Sequence, residues 1–272
     1  GEPVHLQTAD PRRVFVPNAP AGEPKQVVFI NYRSRNALGN VSSTVYWGSP
    51  DGFSEDKSQP IPGFRAVDAV YADVNDDGIV DLVICNSYAN TSTRAAGSYV
   101  LLGSPDGLPE RPSIILPTDQ AQGMVCADIN RDGYLDLIFA SIGSPDLVIY
   151  YGTKEGFDVA NPQSIHMELD GEIYRDPRWI YLADLNNDGW LDLFVPQVDS
   201  DRSFVLWGGP LGYSMDRIQL LSVWHAACAR AADLTGNGYL DLIVGGHQPS
   251  EEGPHDSFAH IYWNGPDGIR ED

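Results

Sequence analysis

A nine-residue loop constrains this chain more than any other feature. Asp184-Leu-Asn186-Asn-Asp188-Gly189-Trp-Leu-Asp192 places oxygen-bearing side chains at positions 1, 3, 5 and 9 and glycine at position 6, and the apolar run Leu193-Phe194-Val195 follows at once. A hard cation such as Ca2+ takes several oxygens together, and alternate side chains on a tightly curled backbone supply them. The glycine permits the curl, and the carbonyl of Trp190 at position 7 is a further oxygen ligand.

The loop recurs. Copies stand at Asp73-Val-Asn75-Asp-Asp77-Gly78-Ile79-Val-Asp81, at Asp128-Ile-Asn130-Arg-Asp132-Gly133-Tyr134-Leu-Asp136 and at Asp233-Leu-Thr235-Gly-Asn237-Gly238-Tyr239-Leu-Asp241. Their starts are 55, 56 and 49 residues apart, and an alanine precedes each first Asp. A second motif alternates with them: Trp47-Gly-Ser-Pro-Asp-Gly-Phe53, Leu102-Gly-Ser-Pro-Asp-Gly-Leu108, Tyr151-Gly-Thr-Lys-Glu-Gly-Phe157, Trp207-Gly-Gly-Pro-Leu-Gly-Tyr213 and Trp263-Asn-Gly-Pro-Asp-Gly-Ile269. A fixed period of this length marks a repeat architecture.

Each repeat reads as four short strands. In the third, Met124–Ala127 leads into the loop, Leu135–Phe139 leaves it, Leu147–Tyr151 runs to the glycine-rich turn and Ser164–Leu169 returns. Strands this short, bounded by Gly, Pro, Asp and Asn, indicate an all-β chain, and four strands in about 50 residues indicate a propeller blade. The expected architecture is a single β-propeller domain over residues 1–272. Its five four-stranded blades would cover 8–61, 62–116, 117–169, 170–221 and 222–272 plus 1–7. Val4–Gln7 resembles the strand missing from the last blade, so the N-terminus is expected to complete that blade beside Ala259–Trp263. Arg13–Val16 and Gln26–Ile30 would follow as the first two strands of blade one, whose Asn18–Gln26 connection has lost the acidic pattern and should bind no metal.

On these two motifs the chain resembles the FG-GAP/VCBS repeat family, the blades of integrin α-subunit propellers, many exported bacterial proteins and a lectin-like relative. The resemblance implies Ca2+ between the first and second strands of a blade, on one face. Recognition of ligands is implied on the opposite face. Carried residue by residue, the metal positions are Asp73, Asn75, Asp77, Ile79 and Asp81; Asp128, Asn130, Asp132, Tyr134 and Asp136; Asp184, Asn186, Asp188, Trp190 and Asp192; and Asp233, Thr235, Asn237, Tyr239 and Asp241. The last set keeps two carboxylates and should bind Ca2+ most weakly, since affinity follows ligand charge. An EF-hand is excluded because strands flank the loops and no Glu stands at position 12. Recurrence at a hairpin bend assigns the metal a structural role and an extracytoplasmic setting: secreted, periplasmic or cell-surface.

Net charge is -21, which argues against nucleic acid or anionic membrane as partner. No apolar run reaches the roughly 20 residues that span a bilayer. Opening on Gly1-Glu2-Pro3, the chain reads as mature or trimmed, without a signal peptide. Cys85, Cys126 and Cys228 fit neither a disulfide framework nor a zinc site and are expected to be buried small hydrophobes. Trp47, Trp207 and Trp263 recur in register and are expected in the blade core.

Function should then lie in the connections at the other end of the blades, which vary while the frame repeats. Arg13, Arg65, Arg178, Trp179, Trp224 and His225 would converge near the channel mouth, with Arg for carboxylates or hydroxyls and aromatics for sugar faces. The competing reading has the Trp residues filling the channel and the Arg residues pairing with Asp10, Asp68 or Asp176. His247, His255 and His260 match no standard metal spacing. Asn40-Val-Ser42 and Asn90-Thr-Ser92 are glycosylation sequons relevant only in a eukaryotic secretory host. The expected function is a non-enzymatic, calcium-stabilised binding or adhesion module for glycan or protein ligands. The alternative is a glycoside-active enzyme drawing on Asp10, Asp68, Asp119 or Asp176, because that chemistry needs two carboxylates across one bond.

Overall fold

The computed structural model describes residues 4–17, 25–33, 41–87, 97–246 and 258–271. Among these residues the secondary structure is β throughout, apart from one 3-10 turn at Glu55–Lys57. The chain divides into two compact units, residues 1–121 and 122–272.

The first unit holds two antiparallel meanders. One is β1 (Pro11–Phe15), β2 (Gln26–Asn31), β3 (Ser43–Trp47) and β4 (Ser58–Ile61); the other is β5 (Ala66–Ala72), β6 (Asp81–Asn86), β7 (Ser98–Leu101) and β8 (Ile114–Leu116). Val28, Ile30, Val45 and Ile61 of the first sheet close on Ala69, Leu82, Ile84, Tyr99 and Leu101 of the second, forming one core.

Three sheets make the second unit. The third joins β9 (Ala121–Ala127), β10 (Asp136–Ser141), β11 (Asp146–Tyr150) and β14 (Gln163–His166), with the small hairpins β12–β13 (Gly152–Thr153, Gly156–Phe157) and β15–β16 (Glu168–Leu169, Glu172–Ile173) beside it. Next come β17 (Tyr181–Ala183), β18 (Asp192–Val195), β19 (Arg202–Leu206) and β20 (Ile218–Ser222). The fifth sheet is β21 (Ala226–Ala232), β22 (Asp241–Gly246) and β23 (Ala259–Tyr262). The two-residue side-chain period explains the packing. Leu193 and Val195 join the core shared with the third sheet, whereas Phe194 between them joins the core shared with the fifth. A strand covered on both faces must read as a continuous apolar run, and Leu193-Phe194-Val195 does.

Antiparallel meanders of this kind are propeller-like, and the strands of the third repeat lie close to where the sequence places them. One expectation is corrected. Val4–Gln7 forms no strand, and among the described residues the fifth sheet has three strands. Gln7 is held on the first sheet instead: its N–H donates to Glu55 Oε1, and its carbonyl accepts from the Tyr46 hydroxyl at 2.6 Å. Trp263 departs from the expected core for a related reason. It follows β23 at the edge of that three-stranded sheet and is exposed, whereas Trp47 and Trp207 pack against cores. Of the cysteines only Cys85 is buried; Cys126 is partly covered and Cys228 is exposed on β21.

Candidate functional site

The first three loops share one geometry. In the third, the Asp184 carboxylate accepts from the N–H groups of Asp188 and Gly189 at 3.1 and 2.8 Å, Asn186 Oδ1 accepts from Asp188 at 2.9 Å, and Asp188 accepts from Trp190 at 2.7 Å. The same bonds occur around Asp73, Asn75 and Asp77 and around Asp128, Asn130 and Asp132. Each side chain thus bonds the backbone just ahead of it, which curls the chain and gathers oxygens on one exposed rim. Position 6 takes a left-handed backbone, with φ of 85° at both Gly78 and Gly189. A Cβ on Gly78 would meet nothing, so its glycine is required by dihedral angle and not by space. Position 4 is left-handed too, at Asp76, Arg131 and Asn187, and Gly236 occupies it in the fourth loop.

Position 9 plays a different part. Asp192 is fully buried; its Oδ2 accepts from Leu185 N and its Oδ1 from Gly208 N, both at 2.8 Å. Asp81 bonds Val74 and Gly103, Asp136 bonds Ile129 and Gly152, and Asp241 bonds Leu234 and Asn264. The partner is the residue at the second position of the glycine-rich turn motif, so the two repeated motifs are the two halves of one contact. A Cβ at Gly103, Gly152 or Gly208 would come within 2.3 Å of the carbonyl of loop position 8, which accounts for glycine there. The fifth motif has Asn264 instead, and its Nδ2 turns the approach into hydrogen bonds to Leu240 O at 3.0 Å and Leu185 O at 2.6 Å. Burial pushes the Asp136 and Asp192 carboxyls up to about 6, against the pull of their backbone donors and with the other loop carboxylates adding to the rise. Asp81 is raised for the same reasons.

The fourth loop differs. Asp233 binds three backbone N–H groups, of Gly236, Asn237 and Gly238, which hold its carboxyl below the usual range, foremost through Gly238. Asn237 sends its Nδ2 away to Asn264 O at 2.8 Å, and no hydrogen bond joins positions 3 and 5 of the kind that Asn186 makes with Asp188. Neighbouring loops are linked through position 4: the Arg131 guanidinium lies 4.0 Å from the centre of the Trp190 ring, and Asn187 Nδ2 donates to Gly238 O at 2.8 Å. Among the described residues no group of three or more His, Cys, Asp or Glu side chains forms a metal-holding cluster. The donors are carboxylate, amide and carbonyl oxygens together, a hard set that suits Ca2+ and no soft transition metal.

The other ends of the blades are built on a second recurrent device. Asp10, Arg65, Gln120 and His225, each just before the first strand of its sheet, have φ of 47°, 44°, 50° and 48°. Three of those strands shift register directly after, at Pro11/Arg13, Ala66/Asp68 and Ala226/Cys228, as a β-bulge does. Side chains of different type are thereby held at equivalent points of these four sheets. In the first unit Arg13 Nε lies 3.2 Å from Asp68 Oδ1, and the Arg65 guanidinium 5.4 Å from the Tyr32 ring. In the second, Arg178 bonds Asp176 at 2.8 Å, Trp179 N donates to Ala227 O, and Trp224 lies against His225 with ring centres 5.5 Å apart. Asp10 is ion-paired with Arg33 at 2.9 Å and Asp119 is exposed. His260 stacks on Tyr262; His247, His255, Asn40 and Asn90 lie outside the described residues.

Sequence reasoning missed the asparagine that ends the second strand of each of the first two sheets. Asn31 and Asn86 close their blades: each accepts from a backbone N–H, of Ala9 or Phe64, and donates Nδ2 at 2.9 Å to a backbone carbonyl, of Ser42 or Gly97. Gln197 holds the equivalent place in the fourth repeat. The signal was available as the amides Asn86 and Gln197, each five residues after position 9 of its loop, where Ser141 and Gly246 follow the other two loops.

Comparison with known proteins agrees with this geometry. Human integrin alpha-IIb is 27% identical over 157 residues, which cover 55% of this chain and 14% of that relative's length. Among solved structures, an Agrocybe aegerita lectin studied for specific recognition of non-reducing terminal N-acetylglucosamine has a TM-score of 0.56 at 17% identity, over 97% of this chain and 66% of that one. The GH43_1 enzyme from Xanthomonas citri, complexed with xylotriose, has a TM-score of 0.50 at 13% identity, over 98% and 91%. At such identities the structural likeness speaks for the fold alone. The FG-GAP-like repeat matches three times, at residues 73–139, 128–195 and 184–244, each match spanning two of the loops described above. This chain belongs to the FG-GAP-like repeat family.

Proposed function

We propose that this chain is a non-enzymatic binding module, stabilised by Ca2+ in its loops and recognising a glycan or protein ligand through the opposite ends of its blades. The observation that carries the reading is an asymmetry between the two ends of the sheets. Three loops repeat the same oxygen geometry, while the strand-entry residues at the other end share a backbone and differ in chemistry, as Asp10, Arg65, Gln120 and His225 do. Repetition suits a structural ion, and variation on a rigid frame suits recognition. In the Ca2+-loaded protein, positions 1, 3 and 5 and the position-7 carbonyl would supply the ligands, with position 9 beneath them. The ion would offset the clustered loop carboxylates. The match to an integrin chain favours an extracytoplasmic setting, and among the described residues no helix is long and apolar enough to cross a membrane.

A second reading, a glycoside-active enzyme, draws on the likeness to the GH43_1 enzyme and on the carboxylates Asp176 and Asp199, which interact electrostatically. Two other candidate acids are held in ion pairs, Asp68 with Arg13 and Asp10 with Arg33. A glycan-array screen in Ca2+, run beside a hydrolysis assay on xylo-oligosaccharides, separates the two. Retention without turnover is the expected result. Turnover abolished by Asp176→Asn would overturn it.

A further inference from the structure

The fourth repeat departs from the first two at one place. Where Asn31 and Asn86 spend their side-chain amides on their own blades, Gln197 keeps only the backbone part of the pattern, its N–H to Ser203 Oγ at 3.3 Å. The side chain is one methylene longer and 1% exposed, and its Nε2 has no hydrogen-bond partner. Three other buried atoms near it are also unspent: Asp176 Oδ1, Arg178 Nε and His225 Nε2, with Asp176 6% and His225 8% exposed. Buried polar atoms without partners are rare, because each carries an uncompensated desolvation cost of about 1–3 kcal/mol. Four together are a feature of the molecule.

Backbone contacts make the residues that carry these atoms neighbours. Pro177 and Gln197 form an antiparallel bridge, and Val198 N donates to Asp176 O at 3.1 Å. His225 Nδ1 meets the Val198 carbonyl, and His225 N donates to Ser200 O at 2.9 Å. Since Nδ1 faces a carbonyl it carries a proton. The unspent set therefore mixes two donors, Gln197 Nε2 and Arg178 Nε, with a carboxylate acceptor, Asp176 Oδ1, which the Asp199 carboxylate also approaches, and the ring nitrogen His225 Nε2. An anion would use only the donors, and a metal ion only the acceptors. A hydroxyl both donates and accepts, so two neighbouring hydroxyls match the set. Beside them Trp224, 42% exposed and set against His225, offers an aromatic face of the kind that covers the C–H face of a sugar ring.

We propose that Asp176, Arg178, Gln197 and His225, with Trp224 beside them, form a carbohydrate subsite that takes a vicinal diol. The site deepens the binding-module reading and rests on it. Arg178 and Trp224 are its solvent-facing members and turn aside to admit the ring, while Gln197 waits beneath.

The test uses Gln197→Asn and Trp224→Ala in the full chain. Gln197→Asn restores the residue that closes the first and second blades. Saturation-transfer NMR in Ca2+ against a saccharide panel including N-acetylglucosamine and xylotriose reads binding, thermal melts confirm folding, and chromatography of the panel reads hydrolysis. Binding by the native chain that falls at least tenfold in both variants, with Gln197→Asn melting no lower than the native protein, supports the subsite. Saccharide binding equal in all three proteins overturns the subsite and leaves the binding module standing. No saccharide bound overturns the carbohydrate assignment, and capture of a protein ligand then decides the wider reading independently. Cleavage of the panel overturns the non-enzymatic reading itself.

Discussion

Asp192 Oδ1 accepts a hydrogen bond from Gly208 N at 2.8 Å, and that contact ties the acidic loop of a blade to its glycine-rich turn. The other oxygen holds Leu185 N, so one buried carboxylate fixes three segments. Asp192→Ala removes two charge-assisted bonds and leaves two N–H groups buried. It is expected to cost about 3 kcal/mol in a denaturant melt. Gly208→Ala should cost a similar amount by another route, since its Cβ would lie 2.2 Å from Leu191 O and the backbone must move. A loss below about 0.5 kcal/mol for both would remove the contact from the list of things that hold the blade.

Calcium is expected to raise the melting temperature, and EDTA to lower it reversibly. At free Ca2+ about a thousandfold above the dissociation constant, each site stabilises the fold by roughly 4 kcal/mol. Isothermal titration should resolve three stronger sites and a weaker fourth, and Asp188→Ala should remove one strong site alone. Melting curves that coincide with and without EDTA would end the structural-calcium reading.

The metal-free protein should be steadier in mild acid than at neutrality. Burial pushes Asp136 and Asp192 up to about 6, above the value an unfolded carboxyl has, so between about pH 4 and 6 the folded state holds more protons. Stability from such groups is full below the unfolded pKa and is lost as pH rises through the folded one. Melts in EDTA should therefore fall from pH 4.5 to pH 7. In Ca2+ the trend should reverse, because protons compete for the loop oxygens. A rising EDTA curve over this range would contradict the assignment.

Thiol labelling of the folded protein should be ordered by position. Cys228, exposed on β21, reacts first; Cys126, its thiol pushed up to about 12 by burial, reacts slowly; Cys85, fully buried, reacts only on unfolding. A disulfide reagent that releases one equivalent quickly checks the order, and Cys228→Ser should abolish that fast phase.

Much of this was legible in the residues themselves. The acidic loop, the glycine turn and the apolar run Leu193-Phe194-Val195 announce loop, turn and doubly covered strand, because each depends on contacts a few residues apart or on a strict two-residue period. The cysteines were less legible. An apolar neighbourhood in sequence does not say which sheet face a side chain takes, and Cys228 takes the open one while Cys85 does not. Val4–Gln7 misled because its strand-like pattern fits an edge at the C-terminus, but Tyr46 and Glu55 hold Gln7 on the first sheet.

The sequence by itself determined the blades, their order and the oxygen-bearing loops, because those follow from local spacing and backbone chemistry. Only the tertiary structure decided that position 9 of each loop serves the turn motif as well as the loop, and that Gln197 is unspent where Asn31 and Asn86 are not. Both facts depend on which polar atoms meet across segments far apart in the chain, and the cost of burying a polar atom is settled only by the partner that folding brings to it. The loop at Asp184 to Asp192 therefore reports the fold, and the atoms left without partners at the far end of the same blade direct the search for a ligand.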